Sequence, residues 1–236
     1  METGRFESRP PPGLRAPGRT HPLRHVIHAL DEALTTAGAQ LRLQAGARVL
    51  DFGCGDRHYQ KLAGPDASYV GADLPGNSAA DVVINADGTL PVPGESFEAV
   101  LSTQVLEHVA DPRLYLAECL RVLKRDGRLL LSTHGTMFYH RDPVDYWRWT
   151  HEGLRKLLGD SGFEIMHFEG VMGLGAVGLQ LFQSATYPKL PSWLRPAYAA
   201  VMQWLIAWID RRYSPETRVP NALVYVLVAR PKPLPA

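Results

Sequence analysis

Apolar positions along the chain follow two spacings, one typical of helices and one typical of strands. Between Leu23 and Gly38 they recur three and four residues apart, which predicts a helix ending near the glycine. Downstream, short runs of β-branched and other apolar residues are separated by loop-forming residues, a pattern that predicts strands. The predicted strands are Arg48–Phe52, Ser68–Ala72, Asp81–Asn85, Phe97–Ser102, Arg128–Ser132, Phe163–Phe168 and Ala222–Ala229.

Helix start signals lie between these strands. Asp111 followed by Pro112 offers an N-cap and a proline at the first helical position, and Asp126-Gly127 marks a helix end. Thr150 can cap a second, shorter helix that stops near Gly162. Strands and helices that alternate in this way predict an α/β protein with a parallel sheet and helices on both faces.

Two segments differ from this alternation. Residues 1–22 combine five prolines with several arginines, which predicts a disordered tail and leaves 23–236 as the folded domain. The stretch of about residues 171–218 separates the last two strands and is too long for a bare loop, so we expect a helical insertion. One helical face of it carries Val201, Trp204, Leu205, Trp208 and Ile209. Apolar residues cover most of this helix, which favours burial as a lid or acceptor-site wall, with contact to a membrane surface as the alternative.

Composition narrows the class of protein further. The chain has 236 residues, 25 basic and 24 acidic side chains and a net charge of +1, so neither two full domains nor a nucleic-acid partner is indicated. Cys54 and Cys119 are too few for a disulfide framework or a four-cysteine zinc site. Because no secretory signal or membrane span is recognisable, we expect a soluble cytoplasmic protein.

The strongest motif ends the first predicted strand. Asp51-Phe52-Gly53-Cys54-Gly55 places two glycines where a backbone can approach a ligand closely. Asp73 ends the second strand, where a carboxylate suits the two hydroxyls of a ribose. Both features indicate a cofactor that contains a nucleoside. The third glycine of a dinucleotide fingerprint is missing, which disfavours a nicotinamide cofactor and favours one without phosphates, such as S-adenosylmethionine.

These motifs resemble those of the class I S-adenosylmethionine-dependent methyltransferases over roughly residues 45–170. Besides the first motif, the resemblance rests on four segments in the family's order: 69–73, 85–88, 97–109 and 120–130. It implies a three-layer Rossmann-like fold whose seven strands have the order 3-2-1-4-5-7-6, with strand 7 antiparallel and the insertion between strands 6 and 7. One departure is that Arg57 stands where many members have a third glycine.

The resemblance also implies roles for individual residues. Asp51, Gly53 and Gly55 would line the methionine part of the cofactor, and Gln104 would lie near the same end. Asp73 would bind the ribose. Asp87 and Gly88 would contact the adenine.

A second signature, residues 134–150, follows the fifth strand and resembles a methyltransferase sub-group often associated with glycan or secondary-metabolite biosynthesis. Ligands bind at this edge of a parallel sheet, so we expect Tyr146, Trp147 and Arg148 to bind the substrate. The predicted function is methyl transfer to a small-molecule or sugar acceptor, with oxygen as the predicted acceptor atom. The alternative is a non-catalytic cofactor-binding module that acts through a partner protein. The oligomeric state stays open.

Methyl transfer to oxygen requires an aligned acceptor and a group that removes its proton. Histidine suits that task near neutral pH. His140 is the first candidate, with Asp145 as an orienting carboxylate, and His134 is the second. Glu107-His108 could also be taken as a metal-binding pair, but adjacent residues on a helix point in different directions and the sequence shows no completing cluster. We therefore predict no metal site.

Overall fold

In the computed structural model, which describes residues 17–140 and 144–233, the chain forms one seven-stranded sheet with helices on both faces. The strands are β1 (Arg48–Phe52), β2 (Ser68–Asp73), β3 (Val82–Val83), β4 (Phe97–Thr103), β5 (Leu123–His134), β6 (Phe163–Val171) and β7 (Val224–Pro231). The helices are α1 (Arg24–Ala39), α2 (Pro112–Val122), α3 (His151–Asp160), α4 (Leu174–Thr186), α5 (Arg195–Asp210) and α6 (Pro215–Arg218).

The strand order is β3-β2-β1-β4-β5-β7-β6, which confirms the order implied by the resemblance. The first five strands are parallel, so their carboxyl ends meet at one edge of the sheet. Strand β7 is antiparallel to both neighbours and lies between β5 and β6. The predicted antiparallel seventh strand is therefore also confirmed.

Local capping residues set the helix starts as predicted. The Asp111 carboxylate accepts hydrogen bonds from the backbone N–H groups of Arg113 and Leu114, and Pro112 occupies the first turn of α2. The Thr150 hydroxyl accepts a hydrogen bond from the backbone N–H of Gly153 at the start of α3. These bonds satisfy donors that a helix start leaves without intrahelical partners.

The end of α2 differs from the prediction. The helix ends at Val122, before the predicted stop at Asp126-Gly127, and β5 begins at Leu123. Leu123 already pairs with Phe97, and the regular ladder resumes where Arg128 pairs with Ala99. Pairing with β4 therefore overrides the helix signal, and the turn at 124–127 becomes an irregularity within the strand.

Two apolar clusters cover the two faces of the sheet. One face packs α2 and α3 onto the sheet through Leu116, Leu154 and Leu158. The other packs α1 and the insertion against the sheet, with Leu34 and Ile206 fully buried. Three layers therefore result, and the helical insertion between β6 and β7 is confirmed.

The insertion holds its helices together through polar residues. The Gln203 side chain donates to the Oε1 atoms of Gln180 and Gln183 and to the carbonyl oxygen of Pro22. The Gln203 Oε1 atom accepts the backbone N–H of His25 at 2.6 Å. The buried side of α5 thus consists partly of polar groups whose partners lie far away in the sequence.

The predicted apolar face of α5 lies on the outside. Val201, Trp204 and Trp208 are exposed, whereas Met202 and Ile206 point inward. The expectation that this apolar face is buried in the protein is therefore wrong for the single chain. The side of α5 that faces α1 carries Gln203, which accepts from His25, and the tryptophans lie on the opposite side.

The predicted disordered tail lies mostly outside the described residues. Of its 22 residues, 1–16 are not described, and the tail therefore stays a prediction there. Residues 17–22 form turns, with the His21 N–H donating to the Gly18 carbonyl, and Pro22 accepts the insertion hydrogen bonds given above. The domain bounds 23–236 likewise stay a prediction.

Candidate functional site

The predicted cofactor residues lie at the shared carboxyl edge of the parallel strands. Gly53 and Gly55 follow β1, Asp73 ends β2 and Gln104 follows β4. β1 lies between β2 and β4, so these three segments are neighbours. The topology therefore brings together predicted cofactor residues that come from the ends of three separate strands.

Gly53 forms the closest approach in this group. Its φ is +92°, a backbone conformation that favours glycine. A Cβ atom at this position would lie 2.6 Å from Cγ2 of Val105, in the segment that follows β4. The turn after β1 and the segment after β4 therefore meet with no room for a side chain between them.

Asp73 organises the turn around it. Its Oδ2 atom accepts hydrogen bonds from the backbone N–H of Gly55 at 2.8 Å and from the side-chain amide of Asn77 at 2.7 Å. Its Oδ1 atom accepts the N–H of Leu74. A carboxylate has about four acceptor positions, so this geometry leaves Oδ1 able to accept a further donor, as a ribose hydroxyl requires. Asn77, which the sequence analysis did not single out, is a functional candidate at this position.

Arg57, which stands where many members of the family have a third glycine, has a left-handed backbone conformation with φ +61°. Its guanidinium pairs with Asp81 at 2.6 Å and donates to the Ala79 carbonyl. It also lies over the Tyr69 ring at 5.5 Å. The side chain thus ties the first turn to the segment between β2 and β3, while the backbone keeps the glycine-like path.

Three buried or half-buried residues, Asp51, Cys54 and Tyr69, lie beneath the turn, and the role of Asp51 toward the cofactor stays a prediction. The Tyr69 hydroxyl donates to Oδ2 of Asp51 at 2.6 Å, and Asp51 is buried inside the sheet edge. Burial, followed by the nearby Asp51 and Asp73 carboxylates, raises the pKa of the Cys54 thiol to about 12. Cys54 is therefore a small packed residue and not a nucleophile at neutral pH.

The other two predicted contacts lie in loops. Asp87 accepts hydrogen bonds from the backbone N–H and hydroxyl of Thr89, and Gly88 has φ +85° with open space around it. Gln104 has a positive φ of +56°, and its side-chain amide donates to the Ser132 hydroxyl on β5. A left-handed non-glycine residue at a strand end is strained, and such strain concentrates at ligand sites.

A second group, which we call the acceptor cluster, consists of Glu107, His134 and His140. The three side chains are buried, and each contributes a ligand-type atom that lies within 4.8 Å of the others. Glu107 Oε1 lies 3.1 Å from Nε2 of His134, and the His140 ring centroid lies 4.8 Å from that of His134. The sequence indicated His134 and His140 but not Glu107 as their partner. The available signal was that Glu107, with His108, interrupts the apolar residues between Val105 and Val109.

The electrostatics of the acceptor cluster follow from burial. Burial raises the pKa of Glu107 to about 7. The hydrogen bond that Thr133 donates to its Oε2 atom lowers the pKa, but burial outweighs it. Burial, followed by the nearby His140, lowers the pKa of His134 to about 2. His134 is therefore neutral at physiological pH, and its imidazole retains a lone pair for a proton or a cation.

Asp145 and Arg148 form a clamp inside the loop that follows β5. The guanidinium binds both carboxylate oxygens at 2.5 Å and also donates to the carbonyls of Met137, Phe138 and Trp147. Burial opposes ionisation of Asp145, but the hydrogen bonds from Arg148 and from the backbone of His140 outweigh it and hold the pKa at about 2.

This clamp changes two predicted roles. Five acceptors match the five N–H donors of Arg148, so its side chain shapes the loop instead of presenting donors to a substrate. Asp145 accepts the backbone N–H of His140 at 2.9 Å, so it positions the residue through the main chain.

Tyr146 and Trp147 remain candidate substrate contacts. Both are exposed, and their backbone N–H groups donate to the carbonyl of Glu107. The Trp147 indole N–H donates to the Val109 carbonyl, and its ring stacks on Trp149 at 5.6 Å. The loop is thus anchored to the backbone of Glu107, whose side chain belongs to the acceptor cluster.

A comparison with family models matches residues 23–167 to a methyltransferase domain. The ubiquinone biosynthesis O-methyltransferase of Dinoroseobacter shibae is 35% identical over 163 residues, covering 54% of this chain and 64% of the relative. The protein of the same description from Cereibacter sphaeroides is 33% identical over 154 residues, covering 53% and 60%. The chain spans less than two thirds of the length of these curated relatives.

Solved structures with little sequence identity share the fold. A putative methyltransferase from Haloferax volcanii, in complex with the activator Trm112, has a TM-score of 0.57 at 18% identity, covering 87% of this chain and 90% of that one. A methyltransferase from Mesorhizobium loti, described as S-adenosylmethionine dependent, has a TM-score of 0.55 at 18% identity, covering 84% and 97%. The [4+2]-cyclase SpnF has a TM-score of 0.55 at 21% identity, covering 88% and 82%. The fold thus occurs in a protein described as a cyclase, so methyl transfer requires support from the site itself.

Proposed function

Because this chain belongs to the methyltransferase-domain family, we propose that it transfers a methyl group from S-adenosylmethionine to an oxygen of a small-molecule acceptor. One observation carries the proposal. Gly53 lies in the turn after β1, which we call the cofactor turn, and has no room for a Cβ beside Val105. Glu107 of the acceptor cluster comes two residues after Val105. The turn that suits a nucleoside cofactor and a buried proton-accepting group therefore adjoin. The relatives described as O-methyltransferases support oxygen as the acceptor atom.

The residues of the cofactor turn fit the donor. The glycine backbone at Gly53 and Gly55 allows close approach, and Asp73 keeps an acceptor position for a ribose hydroxyl. In this proposal Gln104 lies beside the methionine part, and Asp87 with Gly88 borders the adenine. Bound S-adenosylmethionine supplies a methyl group on a sulfonium, already activated for displacement.

On the acceptor side, this chain aligns the hydroxyl and takes its proton. We assign proton removal to the acceptor cluster, with His140 as the first candidate because it is the least buried of the three. Asp145 and Arg148 act as positioning residues, since they fix the backbone of His140. Tyr146 and Trp147 would contact the body of the acceptor, and an exposed aromatic pair suits a flat ring as well as a sugar.

Replacing Asp73 by alanine is expected to weaken S-adenosylhomocysteine binding about a hundredfold. Hydrogen bonds to a charged group contribute roughly 1.5–3 kcal/mol, and about 2.7 kcal/mol corresponds to that factor. Calorimetry would measure it, with Glu152→Ala on the exposed side of α3 as the control. Equal binding by both variants would contradict the ribose assignment.

Methyl transfer itself needs a separate assay. We expect the wild type to release S-adenosylhomocysteine in the presence of a phenol or catechol, with sugars as the second class tested. Tight cofactor binding without transfer to any oxygen acceptor would favour the alternative, a cofactor-binding module that acts through a partner.

We also propose that the exposed side of α5 contacts anionic lipid at the membrane surface. None of the described helices combines the length and apolar character needed to cross a bilayer. Trp204 and Trp208 stack at 6.4 Å on the outside, and the Arg212 guanidinium lies 3.5 Å from the Trp208 ring. Residues 171–209 include no acidic residue, and Asp210 is buried against His25. Tryptophans beside arginines suit the interface of an anionic bilayer.

Substituting both Trp204 and Trp208 by alanine is expected to reduce binding to phosphatidylglycerol vesicles at least about tenfold, because each indole buries a large apolar area. Co-sedimentation would measure this, with Leu114→Ala on the exposed face of α2 as the control and phosphatidylcholine vesicles as the lipid control. Dimerisation without vesicle binding would assign the face to a second copy of the chain instead.

A further inference from the structure

The acceptor cluster combines one carboxylate and two imidazoles in a buried space. Two histidines and one acidic residue form a ligand set of catalytic zinc sites. Glu107 and His134 follow or end adjacent strands, and His140 comes from the loop that folds back over them. The three ligands thus come from three segments of the chain.

The hydrogen bonding of the cluster is incomplete among the residues that the structure describes. Glu107 Oε1 lies 3.1 Å from Nε2 of His134, yet this oxygen has no hydrogen-bond partner. The Nδ1 atom of His134 also has none. Buried polar atoms without partners are costly, and a cation bound between Glu107 Oε1 and Nε2 of His134 would satisfy that oxygen.

The surroundings hold the ligands in orientation, as metal sites require. Thr133 donates to Oε2 of Glu107 at 2.9 Å, so that oxygen is occupied and Oε1 faces the histidines. Asp145 holds the backbone N–H of His140. His108 lies beside the cluster, with its ring centroid 4.8 Å from that of His140 and its Nδ1 atom 2.6 Å from the Val144 carbonyl.

We propose that Glu107, His134 and His140 bind a divalent cation of the zinc class, with a fourth position for water or an acceptor oxygen. The site differs from the adjacent pair Glu107-His108 that the sequence suggested, because the completing ligands come from 27 and 33 residues away. The proposal does not depend on the methyl-transfer function. Where both hold, His140 would be a ligand and not the general base. A hydroxyl coordinated to the cation would lose its proton more readily, and solvent water would take that proton.

The test measures metal binding directly. Chelator-treated protein would be titrated with Co²⁺, whose visible absorption reports tetrahedral coordination, and with Zn²⁺ by calorimetry. We expect one equivalent to bind, and we expect the affinity to fall more than about a hundredfold in His140→Ala and in Glu107→Gln. Loss of an outer-sphere partner alone costs about 10–100-fold, so loss of a ligand should cost more.

The matched control is another histidine–glutamate contact. On β6, His167 Nε2 lies 3.2 Å from Oε1 of Glu169, a spacing close to that of the cluster, but within the described part of the chain no third ligand joins the pair. His167→Ala should therefore bind Co²⁺ like the wild type. Absence of saturable binding to the wild type, or equal binding by His140→Ala, would overturn the proposal.

S-adenosylhomocysteine binding by each variant serves as the folding control. A variant that binds this ligand but not Co²⁺ is folded and has lost only the cation site. If the wild type binds Co²⁺ but transfers no methyl group, the cation site stands and the proposed function fails. If transfer persists undiminished after chelation and no Co²⁺ binds, the function stands and the cation site fails.

Discussion

Replacing Asp145 by asparagine is expected to lower the free energy of unfolding by about 2–3 kcal/mol. The Asp145 side chain is fully buried, and both of its oxygens accept from Arg148. An amide in its place would turn one acceptor into a donor that faces the guanidinium. Breaking a fully buried pair costs roughly 3–5 kcal/mol, and the effect here is smaller because the Arg148 side chain is 31% exposed. Equilibrium denaturation with urea measures the change.

Asp160→Asn is the matched control for this prediction. Asp160 forms ion pairs with Lys156 and Arg113, and it lies at the exposed end of α3. Solvent screens such pairs, so we expect little change in the unfolding midpoint. An effect of Asp145→Asn no larger than that of the control would show that the clamp does not stabilise the loop.

Replacing Gly53 by alanine is expected to weaken cofactor binding at least about a hundredfold. The new Cβ would meet Val105 at 2.6 Å, and φ at this position is +92°. A branched valine has no flexible end to move aside, so the turn after β1 must shift. Calorimetry with S-adenosylhomocysteine measures the loss, and thermal unfolding checks that the variant is folded.

Two further variants separate the clash with Val105 from the strain of a positive φ. Gly64 has φ +78° but nothing within 4 Å of its Cβ position, so Gly64→Ala adds backbone strain without the clash. We expect it to bind the cofactor normally. Adding Val105→Ala to Gly53→Ala should recover part of the affinity. No recovery in the double variant would assign the loss to the positive φ instead of the clash, and normal binding by Gly53→Ala alone would exclude the steric explanation.

Elements whose signals are local were predictable from the sequence. The caps at Asp111 and Thr150 act within three residues, and the starts of α2 and α3 match the prediction. Strand β1 also agrees, because a short apolar run that ends in glycines needs no distant partner to be recognised. The order of the strands came from the family resemblance, since spacing alone does not distinguish one parallel arrangement from another.

Two of the three residues of the acceptor cluster were predictable from the sequence. The sequence indicated His134 and His140, but Glu107 joins them only once β4 and β5 lie side by side. The role of Arg148 was also out of reach, because its acceptors are backbone carbonyls that the loop conformation brings together. A sequence displays side-chain types, and it does not display where main-chain carbonyls converge.

The orientation of α5 was mispredicted for a related reason. Apolar periodicity assumes that buried positions are apolar, but Gln203 and Asp210 point inward here. Their burial is tolerated because their hydrogen-bond partners, including His25 and Gly173, come from α1 and the start of α4. Trp204 and Trp208 then lie outside, and the most hydrophobic residues mark a surface instead of the core.

The central place of β7 limits the order in which the strands of the sheet can pair during synthesis. Among the strands of the described residues, β6 pairs with β7 alone and is separated from β5 by it. While the ribosome is still adding the insertion, β6 has no strand to pair with, and the open edge of β5 stays unpaired. Both edges close together when residues 224–231 emerge and enter between them. The pairing of β5 and of β6 therefore waits for the same strand, and an unpaired β5 edge could pair with another chain until then.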